Sequence, residues 1–115
     1  MCFSAQASFG VGSLLLPAGA YCIYTAARKN RAFLPLSLIP LLFGVQQFCE
    51  GFVWTGLDEP EAPAVRLGSL GFLFFGLLFW LFWIPFSVTI FESRIRVKVF
   101  LGLVALIGLA GGLVL

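Results

Sequence analysis

Residues 45–54 read VQQFCEGFVW, so two amides, a thiol and a carboxylate sit inside a run that is otherwise oily. The flanking residues 33–57 are predominantly apolar, and a segment of that length is long enough to cross a hydrocarbon core of about 30 Å as a helix. At about 100° per residue, Phe43, Gln46, Gln47, Glu50 and Trp54 fall within an arc of about 100°. Val45, Phe48 and Phe52 fall on the other side and suit a lipid-facing surface. The stretch is therefore an amphipathic helix of inverted sense, with its wet-looking face turned into protein.

Composition carries this reading to the whole chain. The 115 residues are 61% hydrophobic and only 10% charged, whereas a soluble domain is about 45–50% apolar and about 25% charged. A globule of this size has too much surface for so few polar groups to cover, so lipid must be the solvent. The net charge of +2 is too small and too scattered to suggest a nucleic-acid partner, and none is expected. Histidine is absent, removing the commonest general base and most haem, zinc or copper ligation. Cys2, Cys22 and Cys49 form no CxxC pair or other ligand spacing and read as free thiols packed like small apolar residues. Neither a metal nor a cofactor is expected.

Hydropathy marks about four spans, at 9–27, 33–57, 67–91 and 99–115. They must be helices, because hydrocarbon leaves no partner for an open backbone group and four spans cannot close a barrel. The expected fold is an all-α membrane bundle forming a single domain over residues 1–115. Its basic links, residues 28–31 and 92–98, belong in the cytoplasm. The acidic link 58–66 and the N-terminus then lie outside. The opening MCFSAQAS has no basic n-region, so the first span reads as a retained anchor. Ser4 or Ser8 is expected to cap it. The last span stops at Leu115 without a polar tail, which reads as a truncated member of a longer bundle.

Within the spans, Pro17, Pro40 and Pro85 each leave the carbonyl four residues earlier without its helical donor. Gly108 and Gly112 form a small-xxx-small pair that serves equally for internal packing or for a homo-oligomer. The aromatic residues of the third span, from Phe72 to Phe86, lie all around a helix and define no single face. Trp54 and Trp83 suit interfacial belts at opposite faces.

Two motifs carry a resemblance: the opening MCFSAQASF and residues 39–54, IPLLFGVQQFCEGFVW. Together they resemble a bacterial family of multi-pass membrane proteins of unknown function whose members open with MCFSA. The resemblance implies a membrane fold and marks Cys2, Phe3, Ser4, Gln46, Gln47, Glu50 and Trp54. It further implies that the N-terminal segment and the polar face of the second span form one site. It supplies no activity.

Glu50 dominates the functional reading. An acidic side chain at the centre of an inserted helix costs about 2.5–3.5 kcal/mol and demands a compensating environment. One reading makes the protein a non-enzymatic accessory or ligand-binding protein. In it, Gln46, Gln47, Glu50 and Trp54 hold a small hydrophobic or cationic molecule, Cys2 and Ser4 contribute from the N-terminus, and a membrane-protein partner is engaged. A second makes it a small proton-coupled transporter with Glu50 as the proton or cation site. A structural reading has Glu50 clasp the second helix to the first. An enzyme is disfavoured, because neither Cys2 nor Cys49 has a histidine to activate it.

Overall fold

The computed structural model describes residues 4–59 and 61–114, and among these there is no strand. Four helical spans are long and apolar enough to cross a membrane: Ala5–Lys29, Arg31–Thr55, Pro63–Thr89 and Ile95–Val114. They run past the oily stretches at most ends, because caps rather than hydropathy set where a helix starts and stops. Ser4 holds the start of α1 (Ala5–Lys29), its hydroxyl accepting from the Ala7 amide at 3.1 Å. Arg28 and Lys29 occupy the last turn, where cations complement the exposed carbonyls. Asn30 then accepts from the Ala32 amide at 3.0 Å and opens a 3₁₀ turn, Arg31–Phe33. That turn leads into α2 (Leu34–Thr55). Pro63 starts α3 (Pro63–Leu73), where the missing amide donor is harmless.

The third span is not one uniform helix. Between α3 and α4 (Trp80–Thr89) lies a π-helical stretch, Phe74–Phe79, closed by the Trp80 amide donating to the Phe75 carbonyl five residues earlier. The extra residue in that turn rotates the rest of the span by about 100° relative to a continuous α-helix. The fourth span is α5 (Ile95–Val114). α1 packs along α2, α2 along α3, and α5 along α4 and the π-helical stretch.

Burial is inverted relative to a soluble protein. Ser8, Ser37, Gln46, Gln47, Glu50 and Ser87 are buried, while Leu14, Ile107 and Val114 are 74%, 70% and 87% exposed. Water would reverse that partition, so the arrangement is compatible with a bilayer as the surrounding medium. Ser37 and Ser87 are satisfied within their own helices: Ser37 Oγ donates to Leu34 O at 2.8 Å and Ser87 Oγ to Trp83 O at 2.7 Å.

Small residues set the helix contacts. Gly12, Gly19 and Ala26 are buried on α1, and Ser37, Gly44 and Gly51 on α2, each set repeating every seven residues. A seven-residue repeat keeps one seam facing the partner as the helices coil left-handedly. At Gly19 the approach is so close that a methyl group would overlap the Leu41 backbone. One expectation changes here. Phe48 is not turned wholly outward: it is half-buried against α1, its ring 5.4 Å from that of Phe9 and its edge over Gly12.

Gly108 and Gly112 are likewise taken by internal packing. A methyl on Gly108 would lie 2.5 Å from the Leu81 carbonyl oxygen, and one on Gly112 would lie 2.7 Å from that of Leu77. Pro85 supplies no amide to Leu81, so α5 comes up against a carbonyl that lacks its helical donor. A homo-oligomer formed through this glycine pair would have to break that contact. Of the two uses weighed for this pair, the structure shows internal packing.

Candidate functional site

The polar stripe of α2 points into the bundle. Gln47 is 1% exposed, Gln46 7% and Glu50 8%. Phe43 and Trp54 border the stripe and are 37% and 38% exposed. The burial follows from the placement of neighbours. The glycine seam brings α1 against one flank of the stripe. Gly68 and Gly71 bring α3 against the other, where methyl groups would lie 2.8 Å from the Cys49 carbonyl oxygen and 2.8 Å from its Sγ.

Two of the cavities between α2 and the third span are lined by residues of the polar stripe. The larger, about 420 Å³, is lined by Glu50, Val53, Trp54, Ser69, Phe72 and Leu73. The smaller, about 250 Å³, is lined by Phe43, Gln46, Gln47, Phe72, Leu73, Gly76 and Leu77. Phe72 and Leu73 belong to both, so they form a shared apolar wall beside the polar stripe. The four expected residues of α2 thus divide between two adjoining cavities, Glu50 and Trp54 lining the larger and Gln46 and Gln47 the smaller.

Sequence reasoning misses Trp80. Its indole Nε1–H donates to Gln46 Oε1 at 2.6 Å, tying the amide to the third span. The π-helical stretch immediately precedes Trp80 and sets the phase of α4, on which Trp80 stands. A tryptophan among phenylalanines carries one usable signal: its N–H needs an acceptor when buried, and lipid offers none. Trp83 obeys the same rule, donating to the Pro35 carbonyl at 2.9 Å. The periodicity of α2 by itself holds no sign of either pairing, since both donors stand on another span.

The N-terminal residues divide. Ser4 serves as the helix cap and lines neither cavity. Cys2 and Phe3 lie outside the described residues. Ser8, the alternative cap, is instead fully buried inside α1, and its Oγ has no hydrogen-bond partner among the described residues. The next residue, Phe9, packs on Gly51, so Ser8 lies at the depth of the Glu50 turn. Cys22 and Cys49 are free thiols. No group of three or more histidine, cysteine, aspartate or glutamate residues that could hold a metal ion occurs among the described residues.

Compared with known proteins, residues 1–115 match one family, described as Family of unknown function (DUF6629). No curated protein and no solved structure matches the chain.

Proposed function

We propose that this chain, which belongs to the DUF6629 family of unknown function, is a non-enzymatic multi-pass membrane protein. It binds a small hydrophobic or cationic molecule in the cleft between α2 and the third span. One observation carries the proposal: Glu50, a carboxyl group buried at membrane depth, lines a cavity of about 420 Å³ whose other walls are mostly apolar. Ligand sites are concave and largely apolar with a few convergent polar groups, and intramembrane ionisable residues mark such sites. Glu50 supplies the charge or proton for a cation, Ser69 a hydroxyl, and Trp54 an aromatic face at the cleft border that favours cations. Gln46 and Gln47 offer amides to the adjoining cavity. In this proposal the basic links face the cytoplasm and the acidic link faces outward.

The test uses the purified protein in lipid nanodiscs with tetraphenylphosphonium, a lipophilic cation, as probe. Binding read by tryptophan fluorescence should weaken at least about tenfold in Glu50→Gln, a loss of about 1.4 kcal/mol. Trp54→Ala should weaken it by a smaller factor. Equal affinity in wild type and Glu50→Gln overturns the proposal. Proton release that accompanies probe binding and disappears in Glu50→Gln would move the reading to proton-coupled transport.

A further inference from the structure

A further cavity, of a different kind, lies towards the other end of α2. It is a groove of about 470 Å³ between α1 and α2, with Tyr21, Cys22, Leu36 and Pro40 among its apolar walls and Lys29 and Asn30 at its end. Tyr21 is 70% exposed, so the groove opens sideways on the apolar surface of the bundle. Pro40 supplies no amide to the Leu36 carbonyl, and both residues line the groove.

The charge around this end is one-sided. The rings of Phe33 and Phe91 pack with centroids 4.5 Å apart, which joins the link after α1 to the link after α4. Arg28, Lys29, Arg31, Arg94, Arg96 and Lys98 therefore gather at one end of the bundle. The acid there is Glu92, held by the Arg94 guanidinium at 3.1 Å. Arg28 lies over the Tyr24 ring at 5.0 Å, which keeps its charge at the membrane boundary.

An apolar trough that ends in cations at the polar boundary matches one chemistry, an anion carried on a hydrocarbon tail. We infer that this groove binds an anionic phospholipid, with an acyl chain along Tyr21, Cys22, Leu36 and Pro40 and the phosphate against Lys29 and Asn30. Arg31 adds to the attraction from the adjoining turn. Each cation near a membrane surface strengthens anionic-lipid binding about fivefold, so two strengthen it by about thirtyfold. The inference is independent of the Glu50 cleft, which lies on a different face of α2, against the third span.

The experiment measures lipid retention by native mass spectrometry after exchange into phosphatidylglycerol or phosphatidylcholine of identical acyl chains. Phosphatidylglycerol should be retained selectively, and the double variant Lys29→Ala, Arg31→Ala should bind it about thirtyfold more weakly. Thr25→Trp, which fills the groove and leaves every cation in place, should abolish retention. Arg66→Ala, at the opposite end, should retain the lipid as wild type does. Melting in detergent confirms that each variant is folded, and retention is read on folded protein. Equal retention of both lipids, unchanged binding in the double variant, or survival of binding in Thr25→Trp overturns the inference. So does glycerol phosphate competing at the lipid's own affinity, because the anion alone would then explain the site.

Discussion

At the residue scale, the hydrogen bond from Trp80 to Gln46 couples the polar stripe to the third span. Removing the indole donor leaves a buried acceptor in a medium that offers no replacement. Trp80→Phe should destabilise the fold by about 1–2 kcal/mol, as judged by interhelical hydrogen bonds in membranes. Unfolding in mixed micelles, with a Gln46→Leu, Trp80→Phe cycle, isolates the pairwise contribution; additive single effects would show that the contact carries no coupling. A second prediction concerns pH at the membrane surface. Hydrogen bonding from the Arg94 side chain, then from its backbone amide, holds the Glu92 carboxyl below the ordinary carboxylate range. Because the folded-state value is depressed, the pair's contribution is fully present above the ordinary carboxylate range and is lost as pH falls through the depressed value. A carbon chemical-shift titration of Glu92 should show its midpoint moving up towards the ordinary range in Arg94→Ala.

At the scale of the element, small residues rather than large ones decide which helices touch. Lipid tails are as apolar as leucine, so burying leucine against leucine gains little, whereas close backbone approach gains dispersion contacts. Gly19 and Gly10 provide an internal control on α1. A methyl on Gly19 would overlap Leu41, while one on Gly10 meets nothing within 4 Å. Gly19→Ala should therefore destabilise by about 1–3 kcal/mol, as overpacking does. Gly10→Ala should be neutral or stabilising by up to about 1 kcal/mol, because alanine favours helix more than glycine does. Unfolding measured on both variants checks the contrast, and equal effects would remove the seam as the cause of the α1–α2 contact. The π-helical stretch works at the same scale: one extra residue in a turn rephases α4, and with it the faces on which Trp80 and Trp83 stand.

At the scale of the whole molecule, charge is partitioned between the two ends of the helices. Six cations surround the Phe33–Phe91 contact, and Asp58, Glu59 and Glu61 lie in the link at the opposite end. In the orientation proposed above, with the basic end in the cytoplasm, a cysteine introduced by Glu61→Cys in a variant lacking native cysteines should react with an impermeant maleimide from outside intact cells. Ser93→Cys should react only after the cells are opened. Labelling in the reverse pattern would invert the orientation and place the lipid groove on the outer leaflet.

The spans and the polarity of their links were legible residue by residue, because hydrocarbon penalises open backbone and charge wherever they occur. The stripe of Gln46, Gln47, Glu50 and Trp54 was legible for the same reason, through helical periodicity alone. Contacts between helices were not. Whether Gly108 and Gly112 would face the third span or another chain, how far Phe48 would be covered by α1, and which acceptor Trp80 would find all depend on helix rotation. That rotation is set by the fit of glycine seams against distant backbone and by the phase shift of a single π-helical turn. Solvent acts on each residue separately and so leaves its mark in the one-dimensional pattern. Packing acts on pairs far apart in the chain, and only the folded bundle resolves it.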